Sequence, residues 1–488
     1  MPAAPKSVYT AATAAQGGVI DRRILLALLG FLVLIVVANN SSGSLAQPAI
    51  ADAFEAGPAD VGWVVFGYSA TFAVATAVWG GLAARFGIGP SIATGVAIFA
   101  CGSLLAAVAP SLPLLIGARG IQGLGSGAIP TLSAALIAGR FPGPERAAAL
   151  GVTVAAVGTG LALGPLLGGA ALEFLGWRAA VAFGMVAAPA ALALWGRGEG
   201  ETLPQEGRRG VPESPAVGLD VAGAAWVSVA VLAATFLLNR FVLIGVAPLS
   251  VIAAVVLAIA VVAIAQRAVK RSDAFLPRRI LLDPVFQRVS VLGALGMSTF
   301  FGTLVSIPVA VSTAHGLTGI SLGFVLLPMA LVAAATSLNN ARVQGRLNSR
   351  RTTMLALTSL AAGGLGLALA GPGAPVMVLA ALLAPIGFGF GLLGPPLLSE
   401  LTVRFAGRDR PLAVGAYNLV FFLGGSFGAA VASAFVGAQL ELTPFTGRPV
   451  PGFSTVELLL GAVAGLAALT ILLRARTAGP EPAESAPG

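Results

Sequence analysis

Long apolar runs alternate with short polar connections from residue 24 to residue 474, and this alternation dominates the chain. Each run is about 18 residues or longer, the length at which an α-helix crosses the roughly 30 Å hydrocarbon core of a bilayer. About fourteen spans are predicted, at 24–46, 61–84, 91–109, 112–138, 146–172, 179–195, 219–238, 242–265, 289–312, 319–338, 352–370, 375–399, 412–438 and 456–474. In lipid each spanning segment must satisfy its own backbone polar groups, so the spans are helices and the fold class is an all-α polytopic membrane protein.

Composition agrees. The chain is 57% hydrophobic and 10% charged, whereas a soluble domain carries about 25% charged residues. With the N-terminus inside, all but Arg119, Arg178, Arg240 and Arg448 of the 28 Lys and Arg residues fall on the inner side or in the N- and C-terminal segments there. That distribution follows the positive-inside rule, so the net charge of +9 reads as membrane topology and not as nucleic-acid binding. Both termini are then expected to be cytoplasmic in a multi-pass membrane protein. Cys101 is the one cysteine and lies in an apolar span, so no intrachain disulfide can form; neither a metal nor a cofactor is expected.

The halves of the chain repeat. Gly123, Gly125, Pro130 and Ser133 in "GLGSGAIPTLS" match Gly389, Gly391, Pro396 and Ser399 in "GFGLLGPPLLS". Arg146, Gly151, Gly160 and Gly164 match Arg410, Gly415, Gly424 and Gly428, and Arg85 has its counterpart at Arg346. The offsets are nearly equal and exceed a six-span half by about two spans. The expected organisation is a cytoplasmic tail (1–23), a six-helix half (24–195), a linker (196–218), two added helices (219–265), a basic loop (266–288), a second six-helix half (289–474) and a disordered tail (475–488). Duplicated helical halves around a central cavity are a design of secondary transporters.

"GTGLALGPLLGG" (158–169) concentrates poor helix formers inside an apolar span. Gly160, Gly164 and Gly168 lie four residues apart and share one helix face, and small-xxx-small faces let helices approach closely in lipid. Pro165 is tolerated because neighbouring helices can satisfy the freed carbonyl. Tight packing alone accounts for such a face; its repetition at Gly424 and Gly428 adds the expectation of paired close crossings at which the halves rock.

These motifs carry a resemblance. "GLALGPLLGG" resembles the antiporter signature in the fifth helix of major facilitator superfamily exporters, "RGIQGLGSG" (119–127) their fourth-helix Arg-x-x-Gln-Gly motif, and "GGLAARFG" (80–87) their loop between helices two and three. With "GWR" (176–178) and the six-two-six layout, the chain is similar to the fourteen-span drug:proton antiporters of that superfamily, among them the tetracycline efflux pumps of Gram-positive bacteria. The resemblance implies the major facilitator fold, proton coupling, and gating by the loop residues Arg85, Gly87 and Arg346. Departures accompany it. Ala84 stands where the loop motif has an Asp, Asn39 where a first-helix motif has an Asp, and about Gly425 falls where tetracycline pumps carry a late-helix Glu.

None of the nineteen Asp and Glu falls in the middle of a predicted span; Asp52, Glu173, Asp220, Glu400 and Glu457 lie near span ends. Membrane proton relays usually use an embedded titratable group, so the residue that would couple protons is missing from this reading. Arg119 is the clear mid-span charge and should face a polar cavity or a partner, with a structural bond to freed carbonyls as the alternative. Gln122 lies one turn along. Asn39, Asn40 and Gln47 belong to a neutral polar stripe that either lines a wetted cavity or glues helices together, and Tyr417 and Asn418 are candidate substrate contacts. A cavity with one positive charge should favour neutral or anionic substrates.

The leading expectation is a monomeric secondary transporter that exports small amphipathic molecules by alternating access. An uncoupled facilitator or importer stays open, as does a non-transporting membrane sensor, although the 196–218 linker is short for a signalling domain. An enzyme is not expected: one His in an outer loop, one Cys and no mid-span acid supply neither a nucleophile–base pair nor metal ligands.

Overall fold

The computed structural model describes residues 22–56, 58–141, 143–189, 220–244, 248–271, 274–317, 320–407, 409–432, 435–436 and 452–477. Among them every regular element is helical. In chain order these are α1 (Arg22–Leu45), α2 (Gln47–Phe54), α3 (Pro58–Phe86), α4 (Ile88–Ala107), α5 (Leu112–Ser126), α6 (Ala128–Arg140), α7 (Gly143–Leu175) and α8 (Trp177–Ala182), the last followed by a 3-10 turn at Phe183–Ala187. Then come α9 (Val221–Ile244), α10 (Pro248–Lys270), α11 (Arg278–Leu281), α12 (Pro284–His315), α13 (Ile320–Leu338), α14 (Asn340–Gln344), α15 (Ser349–Ala370), α16 (Val376–Arg404), α17 (Asp409–Ala432) and α18 (Gly452–Thr477).

Among the described residues eleven segments are long and apolar enough to cross a membrane, against about fourteen predicted. The other apolar stretches are shorter: Ala148–Gly160 and Leu166–Leu175 within α7, Trp177–Ala187, and Ala222–Ala234 within α9. The 196–218 linker, positions 240 (its side chain) and 448, nearly all of the 1–23 tail and the chain beyond Thr477 lie outside the described residues.

Local chemistry sets the helix ends. Gly87, between α3 and α4, sits at φ 93°, a conformation that a Cβ would strain, so the "GGLAARFG" loop needs glycine there to turn back. Asp283 caps α12: one carboxylate oxygen accepts from Val285 N at 2.9 Å and Phe286 N at 3.2 Å, and the other from Arg404 Nε at 2.9 Å. Burial pushes the Asp283 carboxyl up, but Arg404 and the two backbone N–H groups more than offset this and hold it below the usual carboxylate range. The stabilisation is therefore full above the unfolded Asp value of about 3.9 and is lost as pH falls through the lower folded value. Asp283→Ala is expected to cost about 1–2 kcal/mol at neutral pH, the usual worth of an N-cap, and the difference from the parent protein should shrink in acid. Thermal melting of the two proteins at neutral pH and in acid checks this.

Helix contacts repeat as the sequence does. α1 packs on α7 as α12 packs on α17; α3 and α4 pack on α5 as α13 and α15 pack on α16. The two sets meet along two seams, α3 with α17 and α7 with α13. α9 and α10 pack on each other, and α9 lies against both α3 and α17, alongside the first seam.

Candidate functional site

Four helices, α1, α3, α12 and α17, enclose a small cavity of about 50 Å³ between the two sets. Its wall is apolar and aromatic, with Val36, Phe72, Met297, Phe301 and Phe422, and its polar groups are Asn40, Tyr68, Ser69 and Ser426. Ser69 Oγ donates to Asn40 Oδ1 at 3.4 Å. Phe72 and Phe422 meet edge to face across the seam with centroids 4.7 Å apart.

Beyond the cavity, towards the end of the bundle that carries Arg85, Arg140 and Arg404, the halves touch. Asn418 Nδ2 donates to Thr131 Oγ1 at 2.9 Å, and Ser337 Oγ donates to Gly151 O at 2.8 Å. Backbones come close on both seams: a Cβ on Gly80 would lie 2.6 Å from Pro411 O and 3.3 Å from Gly415 Cα, and one on Gly151 2.5 Å from Ser337 O. The cavity is thus closed at this basic end by small residues on both seams. Arg85 and Arg346 are exposed there, and Arg85 lies over the Phe86 ring at 5.3 Å.

The sequence-predicted residues divide between cavity and core. Asn40 lines the cavity. Arg119 does not: it is fully buried within the N-terminal half, behind Tyr68, with its guanidinium carbon 4.4 Å from that ring's centre. Its Nε donates to Val64 O at 3.3 Å and its Nη1 to Gln122 Oε1 at 2.9 Å, while Gln122 donates to Ser103 Oγ and Val181 O. Nη2 has no hydrogen-bond partner and points at Gly43, where a Cβ would lie only 2.6 Å away. Arg119 therefore positions Tyr68, whose hydroxyl donates to Val36 O at 3.0 Å and whose ring the cavity shares. Asn39 is buried against the turn after α8, where its Oδ1 accepts from Gly184 N. Gln47 falls outside the stripe expected of the first span, because α1 ends at Leu45 and Gln47 opens α2. Tyr417 is buried with its hydroxyl against Gly293, and Asn418 bridges the halves.

The glycine faces are close crossings, but within each half and not between halves. A Cβ on Gly160 would lie 2.7 Å from Leu34 O and one on Gly168 2.7 Å from Ser42 Cα, both on α1; buried Gly164 lies on the same face, and Pro165 follows it without interrupting α7. On α17, Gly424 meets Ala294 and Gly428 meets Ser298, both on α12. The expectation that the halves rock at these crossings is not met, because each glycine face packs against a helix of its own half.

A further expectation is corrected. Glu457, assigned to a span end, is fully buried, because α18 begins at Gly452 and carries it into the second turn of a spanning helix. Its Oε2 accepts from Thr303 Oγ1 at 3.0 Å and its Oε1 from Ser306 Oγ at 2.6 Å. A carboxylate is therefore enclosed in the helix bundle, in the second turn of a segment long and apolar enough to cross a membrane. The polar stretch "GFST" hid it, since hydropathy places the span start after these residues although they are helical.

The sequence profile of the Major Facilitator Superfamily matches residues 26–429. The chain belongs to this family and is a multi-pass membrane transporter, not an enzyme. It is similar to the drug efflux pump JefA of Mycobacterium tuberculosis, 28% identical over 445 residues that cover 88% of this chain and 84% of that protein. It is likewise similar to the methylenomycin A resistance protein of Streptomyces coelicolor, 27% identical with 78% of each chain covered. Its fold matches that of the proton:xylose symporter XylE bound to 6-bromo-6-deoxy-D-glucose, with a TM-score of 0.63 at 16% identity, covering 92% of this chain and 94% of that one.

Proposed function

We propose that this chain is a monomeric, fourteen-span, proton-coupled exporter of small amphipathic molecules that works by alternating access between halves at 24–195 and 289–474. The observation that carries this reading is the central cavity between the halves, closed at the basic end by the crossings of Gly80 with Gly415 and of Gly151 with Ser337. Seams built from small residues can part and close again without leaving a buried charge unpaired. The fourteen spans take α7, α8 with its 3-10 turn, and α9 as membrane helices beside the eleven longer ones, which matches the layout of the drug:proton antiporters. Relatives named for drug efflux and methylenomycin resistance support export. The cavity wall has neutral polar groups and no acid to receive a cation, so neutral or anionic amphiphiles are favoured over cations.

The test is transport in vesicles that hold the purified protein in inverted orientation. An interior-acid gradient should drive uptake of methylenomycin A at least about fivefold above protein-free vesicles, and far more than uptake of the cation ethidium. Indifference to the gradient would remove proton coupling, and preferential uptake of ethidium would remove the substrate class. For orientation, Arg346→Cys is expected to be labelled from the cytoplasmic side and Ala314→Cys from outside, both in a Cys101→Ser background.

A further inference from the structure

The crossing of α12 with α18 carries a carboxylate that such a crossing does not need. Its counterpart in the other half, α1 against α8 and the following turn, is bonded through backbone groups: Gly184 N donates to Asn39 Oδ1 at 3.3 Å, and Ser42 Oγ donates to Ala180 O at 2.8 Å. Thr303 and Ser306 stand at the repeat positions of Asn39 and Ser42, by the same displacement that relates Gly160 to Gly424. Yet both hydroxyls donate to Glu457.

The surroundings offer this carboxylate no countercharge among the described residues. On α12 it meets the two hydroxyls, while the backbone carbonyl of Glu457 lies against α15 at Gly364, where a Cβ would be 2.9 Å from it. The charged groups of the helices packed against α18 sit near helix ends, Arg288 and His315 on α12, Arg350 and Arg351 on α15, Asp409 and Arg410 on α17, and the mid-helix phenol of Tyr417 on α17 turns to Gly293 on α12. α18 itself has Arg474 and Arg476 in its final turns. An ion enclosed in this way is costly, and intramembrane carboxylates held by neutral donors mark proton pathways.

We propose that Glu457, held by Thr303 and Ser306, is a proton-binding site of this transporter; the inference rests on the proton-coupled reading above and names the residue that carries the proton. On binding, an O–H bond forms at one carboxylate oxygen and the group becomes neutral; on release the proton leaves and the charge returns. The charged form accepts from both hydroxyls. The protonated form keeps its carbonyl acceptor and gains an O–H donor, so the bond from α12 to the protonated oxygen weakens or reverses. Another part of α12 presents Met297 and Phe301 to the cavity, so a change in its hold on α18 reaches the cavity wall.

The experiment uses the full chain in vesicles of phosphatidylethanolamine and phosphatidylglycerol. Infrared difference spectra between acid and alkaline buffer should show a carboxylic-acid carbonyl band that Glu457→Gln removes. In methylenomycin A transport, Glu457→Gln should lose gradient-driven accumulation by about tenfold or more while counterflow without a gradient stays within about twofold, because the neutral amide keeps the hydroxyl partners but binds no proton. Ser306→Ala keeps the carboxyl and should displace the midpoint of the infrared band by about half a pH unit or more. A band unchanged by Glu457→Gln overturns the proposal, as does full gradient-driven accumulation in that variant. If Glu457→Gln fails to fold, an unmoved midpoint in Ser306→Ala overturns it. A parent protein that ignores the gradient would sink the coupled-export reading, and the infrared band would still decide Glu457 by itself.

Discussion

Gly80→Val is expected to abolish transport while leaving the protein inserted, folded and as heat-stable as its parent. Gly80 lies at the seam of α3 and α17, with Pro411 O 2.6 Å and Gly415 Cα 3.3 Å from the place where a Cβ would stand. Both neighbours are backbone, so neither can rotate away. The state closed at the basic end should lose about 1–3 kcal/mol, a typical cost of overpacking, and its population relative to the opposite state should fall roughly ten- to a hundredfold. Each half keeps its own contacts. Transport of methylenomycin A should drop at least about tenfold, with Gly415→Val behaving alike. Labelling of cysteines placed on the basic-end face of α3 should rise at the same time. Normal transport by both variants would mean that this seam does not close during the cycle.

Gly428→Leu should fail in a different way. Its contact with Ser298 lies inside the C-terminal half, where α17 crosses α12; Ser298 Cα would lie 2.8 Å from the added Cβ. Backbone again meets backbone, but here the helices that would separate hold one half together. The expected loss is about 3 kcal/mol or more, read as a fall of roughly 5–10 °C in the apparent melting temperature and as poor yield in the membrane. Gly168→Leu, against Ser42 on α1, should match it by symmetry. The pair of experiments separates a glycine that lets the halves move from one that builds a half. Melting temperatures within about 2 °C of the parent for Gly428→Leu would place this crossing at the moving seam instead.

Much of the architecture was legible in the chain. Apolar run length identified membrane helices, the matched glycines identified the repeat, and the helix contacts follow that repeat pair by pair. The glycine stripe of α7 was visible as a close-contact face because a four-residue spacing defines a face. Which helix it meets was not visible, since any of several neighbours would satisfy small-xxx-small spacing. The same holds for Arg119. Its isolation in an apolar span showed that it needed partners, but not that Tyr68, Val64 and Gln122 supply them and screen it from the cavity. Glu457 escaped because a hydropathy window averages over "GFST" and so starts the span at 456, while the helix itself starts at Gly452. Gln47 was misplaced for the opposite reason: the polar stripe runs past the end of α1 into a separate short helix.

The position of α9 has a consequence for how a lipid-soluble molecule reaches the cavity. The two seams are related by the repeat, but they are not equivalent to the surrounding bilayer. α9 lies across α3 and α17, with Val227 and Val231 in one apolar cluster with Ala73, Ala77 and Leu419. A further apolar helix therefore packs along that seam. At the seam of α7 with α13 the helix that packs on both sides is α16 of the C-terminal half, and no counterpart of the added pair α9 and α10 lies there among the described residues. The added helix pair thus makes an internally symmetric transporter one-sided in the plane of the membrane, and compounds dissolved in a leaflet would meet unlike flanks at the two seams.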